Sequence, residues 1–299
     1  MMPAEREAVL RGELLHDEPM ARHTSWRVGG PAARFYRPAD ARDLAAFLRT
    51  LPPGEPVLWV GLGSNLLVRD GGFPGTVVAT QGRLDGLERV GEHGVRAEAG
   101  VACAKVARFA ARAGLCGVEF LAGIPGTLGG ALAMNAGAFG SETWERVVGV
   151  ETVDRAGRIR QRGREAFQIA YRETKGPEGE WFLGARLELE AGDASAAQAR
   201  IRDLLERRSA TQPTSQPSCG SVFRNPQGDH AARLIEAAGL KGQCVGGACV
   251  SEKHANFIVN THQATAADIE TLINLVRDRV ERTSGVQLTA EVHIVGEAG

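Results

Sequence analysis

The sequence predicts an α+β chain in two parts: a glycine-rich first part running to about residue 190, and a smaller α+β C-terminal domain over residues 191–299. Three observations carry that expectation. Short β-branched runs such as PVLWV and TVVAT are interleaved with short amphipathic helices. Thirty-eight glycines, roughly twice the average usage, gather in loops. A proline and serine tract, TQPTSQPS (211–218), then precedes a stretch with helices and strands of its own.

In chain order, an irregular start leads to ARFYRPA, which reads as a strand. Asp40 next caps a short helix whose apolar face is Leu44, Phe47 and Leu48. PVLWV (56–60) is a strand ending abruptly in GLGSN, and LLV and TVVAT follow as strands. VRAEAG leads into a helix over Cys103 to Ala113, closed by Gly114 in a left-handed conformation. VVGVETVDRAGRIRQR reads as a hairpin turning at Asp154 to Gly157, and WFLGARLELE as another strand. Residues 194–209 predict a helix that stops at TQPTSQPS, a linker or an ordered loop. Thr265 and Asp268 make a capping box for a final helix with Ile269, Leu272, Ile273, Val276 and Val280 on one face and Gly285 as its stop.

Charge excludes several classes of partner. The 35 basic and 36 acidic residues nearly cancel, and only Lys105, Lys175, Lys241 and Lys253 are lysines. The arginines form no patch that would advertise nucleic acid or a membrane surface. The opening MMPAEREAVLRGELL lacks the apolar core of a signal peptide, and no segment approaches a membrane span, so the cytoplasm is the expected compartment. Five cysteines without a CxxC pair argue against a disulfide framework and a zinc site; they are expected reduced and mostly buried, with no metal bound.

The chemistry starts from the glycines. Glycine permits positive φ and removes the side chain that keeps a ligand off the backbone amides, and a run of such amides converges on an anion without any charged side chain. GLGSN follows a strand, but Leu66 stands where the Rossmann pattern requires glycine, and no GK[ST] completes a P-loop. GIPGTLGGALAMNAGAFG adds Gly123, Gly126, Gly129, Gly130, Gly137 and Gly140, with Pro125 stiffening the loop and Asn135 offering an amide. Turns and close helix packing account for two or three of these. Two such loops together point to an elongated ligand such as a dinucleotide.

GLGSNLLVRDGG, GVEFLAGIPGTLGGALAMNAGAFG, PSCGSVFRNP and KHANFIVN, in that order, resemble the UDP-N-acetylenolpyruvoylglucosamine reductase family. The resemblance extends from His23 in HTSWRVGG to Glu291 in LTAEVHIVG. It implies a noncovalent FAD in a region over residues 1–190 built of two small α+β subdomains, roughly 1–80 and 81–190. That is a PCMH/VAO-like flavin fold, not Rossmann. The implied cofactor contacts are Gly61, Gly63, Ser64, Asn65 and Leu66 in the first loop and Gly123, Ile124, Pro125, Gly126, Thr127, Gly129 and Gly130 in the second, followed by Asn135 and Gly137. His23 is expected to be structural.

The family's activity moves a hydride from NADPH to FAD and on to the enolpyruvyl ether of a UDP-sugar. By resemblance, Arg172 in AYRETKG and Glu291 in TAEV stabilise the enediolate charge, and Ser221 in CGSVFRNP donates the proton. Tyr171, Arg224, Asn225 and His254 are implied in binding the nucleotide-sugar, and Asn256 and Asn260 in supporting the loop or the ligand. Two departures stand out. Thr174 replaces a common serine, and the segment from Tyr171 to Ser221 leaves no room for the tyrosine-bearing loop that one subgroup folds over its substrate. The alternatives are another FAD oxidoreductase of the same fold, and a nucleotide-sugar binding protein without redox function. No oligomer is required by this chemistry.

Overall fold

The structure, a computed structural model, describes residues 10–299. The charged opening residues, 1–9, lie outside the described residues. The first subdomain holds β1 (Glu13–Pro19), β2 (Pro31–Arg37), α1 (Ala41–Thr50), β3 (Val57–Val60), β4 (Leu66–Val68) and β5 (Phe73–Ala79). Its sheet runs β1-β2-β5-β3, with β1 antiparallel to β2 and the other pairings parallel. The expected irregular start is thus partly a strand. ELLHDEP lacks a clean apolar alternation because β1 is an edge strand held by backbone pairing. Asp40 caps α1 as expected, accepting from the Asp43 amide at 2.9 Å.

The second subdomain contains β6 (Leu87–Val90), β7 (Gly94–Glu98), α2 (Cys103–Arg112), β8 (Leu115–Cys116), α3 (Leu128–Met134), β9 (Gly137–Ala138), β10 (Ser141–Glu142), β11 (Val147–Asp154), β12 (Ile159–Gly163), β13 (Gln168–Ala170), β14 (Glu173–Lys175), β15 (Glu180–Glu188), β16 (Glu190–Ala191) and α4 (Ala194–Thr211). Its main sheet is antiparallel throughout, in the order β12-β11-β15-β7-β6. Gly114 closes α2 with φ +68°, and the Asp154–Gly157 turn closes the β11–β12 hairpin. Helix α4 was expected in the C-terminal domain. Its buried Ala197 and Ile201 instead join the core of the second sheet, with Val106, Ala110, Leu187 and Leu189. The packing therefore changes near residue 211 rather than 190.

Beyond α4 come α5 (Ala231–Ala237), β17 (Cys244–Val245), β18 (Ala248–Val250), β19 (Ile258–Asn260), α6 (Ala266–Ser284) and β20 (His293–Val295). The capping box of Thr265 and Asp268 is formed on both sides, and Gly285 ends α6 with φ +71°. Ile269, Leu272, Ile273, Val276 and Val280 are buried, each contributing roughly 1.5–3 kcal/mol. The N-terminus of α6 is also bound from the first subdomain: Asp70 accepts from the Ala266 and Ala267 amides, both at 2.9 Å, and Arg69 pairs with Glu270 at 2.8 Å. Strand β20 returns to lie parallel to β4. Trp26, Val28 and Leu67 are consequently part of the C-terminal core, and the segment carrying Glu291 is fixed against the first subdomain.

The expectations that the cysteines are reduced and that most are buried both differ from the structure, in which only Cys103 and Cys219 are buried. Cys244 and Cys249 form a disulfide across β17 and β18. Cys103 and Cys219 are free and buried, as expected, while Cys116 is half-buried. Sequence spacing missed the pair because its proximity comes from hairpin register. No helix among the described residues is long and apolar enough to cross a membrane.

Candidate active site

The two glycine loops face one another. A Cβ on Gly61 would collide with Thr127 Oγ1, and one on Gly126 would lie 3.5 Å from Ser64 Oγ. Gly63 has φ +60° and sits against the His23 carbonyl, so only a bare residue fits. The amides of Leu62, Gly63, Ser64 and Asn65 donate to no acceptor among the described residues. The second loop differs. Ile124, Gly126, Leu128 and Gly129 donate to Leu121, Ile124, Val101 and Ala99, which leaves Thr127 and Gly130 as its unsatisfied amides. The expectation that both loops offer a run of free amides holds in structure for the first loop only. Gly129 also permits α3 to pack within van der Waals reach of Ala99.

Cavities open on either side of this junction. One of about 260 Å³ lies between the two subdomains, lined by Gly130, Trp59, Trp181 and Phe182. The buried Trp59 Nε1 has no hydrogen-bond partner among the described residues. The other, of about 410 Å³, is walled by Ser64, Pro125, Arg27, Arg208 and the residues 212–218 tract. That tract is an ordered wall rather than a linker. Neither Arg27 nor Arg208 pairs with a carboxylate among the described residues, and nothing in their local sequence signalled the placement.

Arg172 occupies the second position of the two-residue turn between β13 and β14, where Ala170 pairs with Glu173. Its φ of +56° is a left-handed conformation costing a non-glycine residue roughly 1 kcal/mol. The turn aims the guanidinium back at the protein: Nη2 donates to Gly137 O at 2.9 Å, and Nε lies 3.2 Å from Glu291 Oε1. A Cβ on Gly137 would lie 2.6 Å from Ser141 O and 3.0 Å from Arg172 Nη1, so the bare residue admits both the hairpin carbonyl and the guanidinium.

Glu291 is positioned by backbone on both sides. Its amide donates to Val222 O at 2.8 Å, and its carbonyl accepts from Asn65 Nδ2 at 3.0 Å. Asn256 then clamps the Ser221 loop: its Oδ1 accepts from Phe223 N, its Nδ2 donates to Phe223 O, and its carbonyl accepts from Val222 N. Ser221 thus sits one residue from the Glu291 contact, its hydroxyl without a partner among the described residues. Arg224 Nε is likewise buried and unpartnered.

Burial pushes the Glu291 carboxyl above the ordinary carboxylate range, against the opposing pull of Arg172 and Arg224. The folded protein therefore holds this proton more tightly than the unfolded chain. The resulting stability is complete below the unfolded pKa and fades as pH rises through the folded one. Glu291→Gln is expected to flatten that decline, measured as urea midpoints from mildly acidic to neutral pH.

The remaining expected residues divide. Tyr171 is exposed and lies under the Arg172 guanidinium, 5.0 Å from ring centroid to Cζ. Asn225 Oδ1 accepts from Ala231 N at the start of α5, which leaves its NH2 group outward. Asn135 is corrected: it is buried, with its amide spent on Glu142, Ala170 and Trp144, and with φ +42° it terminates α3. Its side-chain amide is thus part of the frame behind Arg172 rather than free as expected. His254 packs edge-on against Phe257 and accepts from Asn256 N. Burial lowers its pKa, and the charges it senses are Lys241 and Glu236, not Glu291. Asn260 joins Trp26 O to Ala264 N, while His23 stacks on Phe35 and bonds Glu18.

Comparison with known proteins gives this geometry its context. Residues 32–163 match the FAD binding domain model, and residues 212–295 match the UDP-N-acetylenolpyruvoylglucosamine reductase C-terminal domain model. The chain is 66% identical to the UDP-N-acetylenolpyruvoylglucosamine reductase of Alkalilimnicola ehrlichii, over 100% of this chain and 99% of that protein. With the Methylococcus capsulatus reductase the identity is 65%, over 99% and 97%. The crystal structure of the Thermus caldophilus reductase superposes with a TM-score of 0.82 at 32% identity, covering 95% of this chain and 98% of that one. The residues present fit FAD: four consecutive free amides suit a diphosphate, and an aromatic cavity with an unpartnered indole N–H suits a polar-edged ring. This chain belongs to the UDP-N-acetylenolpyruvoylglucosamine reductase family.

Proposed function

We propose that this chain reduces the enolpyruvyl ether of UDP-N-acetylenolpyruvoylglucosamine to the lactyl ether of UDP-N-acetylmuramate, in peptidoglycan synthesis, with noncovalent FAD and NADPH. The observation carrying this reading is the Arg172–Glu291 ion pair, at 3.2 Å, joined through Val222 to the Ser221 loop. When bound, FAD supplies hydride transfer from NADPH to the substrate. The amides of Leu62 to Asn65, with those of Thr127 and Gly130, would hold its diphosphate.

The chain's other residues manage charge and protons. Arg172 binds the enolpyruvyl carboxylate through parallel hydrogen bonds from its planar guanidinium. As hydride reaches the β-carbon, negative charge spreads into that carboxylate as an enediolate, and Arg172 stabilises it together with Glu291, protonated or bridged by water. Ser221 gives its proton to the α-carbon and recovers one from solvent. Arg224 and Asn225 face the UDP-sugar, Tyr171 covers the Arg172 side, and His254 shapes the loop that holds Ser221. The reaction draws on NADPH and a nucleotide-sugar, so the cytoplasm is its compartment; neither nucleic acid, a membrane nor an oligomer enters it.

Anaerobic incubation with NADPH and the enolpyruvyl sugar should yield a product heavier by two hydrogens. NADPH consumption that needs oxygen and leaves the sugar unchanged would contradict the reading. Gly130 provides a separate test of the cofactor contact. Its bare face meets nothing closer than Thr127 Oγ1 at 3.9 Å, so Gly130→Leu should keep or raise helix stability by about 0.5–1 kcal/mol. Its side chain enters the cavity, so FAD affinity should fall about tenfold or more. Flavin titration of apoprotein measures this, and unchanged affinity would remove Gly130 from the contact.

A further inference from the structure

Cys244 and Cys249 lie outside the site described above. Val250 N donates to Gln243 O at 2.9 Å, so the cysteines occupy the next, non-hydrogen-bonded position of the antiparallel pair, where facing side chains lie closest. Their Cα atoms are 4.1 Å apart, below the usual disulfide range. Cys244 is exposed on the edge strand β17, and Cys249 is half-buried on the middle strand β18, its sulfur 4.0 Å from the exposed Thr261 Oγ1. The sequence separation is only 5, so closure removes little chain entropy and makes a weak staple. An exposed, short-range link, with Cys244 the more open of its two residues, is the arrangement of a labile pair.

We propose that Cys244 and Cys249 form a reversible thiol–disulfide exchange site whose oxidant is a small-molecule disulfide of the glutathione type. The Cys244 thiolate attacks one sulfur of that disulfide and displaces one thiol, giving a mixed disulfide on Cys244. The Cys249 thiolate then attacks the Cys244 sulfur and displaces the second thiol. Two electrons and two protons leave the protein and appear on two molecules of small thiol. The closed pair lies two strands from the Ser221 loop, because Cys249 faces Val259 and Val259 bridges Ser218. The exchange therefore acts on the hairpin and not on the reacting groups.

The two buried cysteines, Cys103 and Cys219, are internal controls. Burial pushes Cys103 up to about 12 and Cys219 well above its ordinary value, and both are inaccessible. The test uses folded full-length protein, reduced and then exposed to oxidised glutathione, with acid quenching, alkylation and peptide mass spectrometry. Alkylation of Cys244 and Cys249 should fall about tenfold or more, with a Cys244–Cys249 cross-link that dithiothreitol fully reverses and no change at Cys103 or Cys219. Cys249→Ser should stall as a glutathione adduct on Cys244. Failure of the wild-type protein to cross-link, or equal reaction at the buried cysteines, would overturn the proposal. So would absence of the adduct in the Cys249→Ser protein.

Discussion

Arg172→Ala is expected to slow reduction of the enolpyruvyl sugar by about a thousandfold while leaving anaerobic bleaching of the flavin by NADPH within a few-fold of wild type. The asymmetry follows from what the guanidinium touches. It meets Gly137 O and the Glu291 carboxylate, and in the proposed mechanism its remaining donors meet a carboxylate that only the sugar brings. Arg172→Lys should also fail, because a point-like ammonium cannot make two parallel bonds. Arg172→Gly separates charge from backbone: it relieves the left-handed conformation at φ +56° and should fold at least as well, yet be as slow as the alanine variant. Stopped-flow absorbance resolves the two half-reactions. Equal slowing of both would mean that Arg172 supports the fold of the site rather than the substrate's charge.

Ser221→Ala is expected to slow the same sugar-dependent half-reaction by about a hundred- to ten-thousandfold, again sparing flavin reduction. A hydroxyl is a weak acid and needs a strongly basic carbon beside it, so its removal should be felt only where that carbon forms. The loop does not depend on the hydroxyl for its shape. Asn256 fixes Val222 and Phe223 through three hydrogen bonds, and Glu291 N fixes Val222 O. A preserved melting temperature with lost turnover is the expected signature. Retained turnover would assign the proton to another donor.

Local rules carried much of the fold. Asp40, Gly114, the Asp154–Gly157 turn and the Thr265–Asp268 box each act within a few residues, so their patterns could be read directly. What escaped depends on distant partners. Strand β1 is specified chiefly by backbone pairing with β2, with Leu15 packed against the core and Leu14 exposed. Helix α4 has an unremarkable apolar pattern, and its allegiance appears only when Ala197 and Ile201 meet the second core. The disulfide depends on the register of a two-residue turn.

The site was legible to a different degree. GLGSN alone reads as a tight turn as readily as an anion loop, and only the pair of glycine loops points to a dinucleotide; the four unsatisfied amides of Leu62 to Asn65 agree with the anion loop. In the second loop, however, glycine serves packing as often as ligand approach: Gly129 admits Ala99, and Gly137 admits Arg172. Asn135 looked like a free amide because the sequence cannot show that Glu142, Ala170 and Trp144 consume it. Arg172, Ser221 and Glu291 carried no local signal and were singled out by family resemblance. The 3.2 Å ion pair between residues so far apart in sequence supports treating two of them as one unit.

The proposed mechanism requires a flavin held by bare backbone to face a cationic, acid-equipped pocket built for an enolpyruvyl carboxylate. Its most direct test is to bleach the purified protein with one equivalent of NADPH under argon and then mix it with UDP-N-acetylenolpyruvoylglucosamine. The yellow absorbance should return without oxygen, in step with formation of the lactyl ether. Protein that stays bleached with the sugar present, or that regains colour only when air is admitted, would contradict the claim.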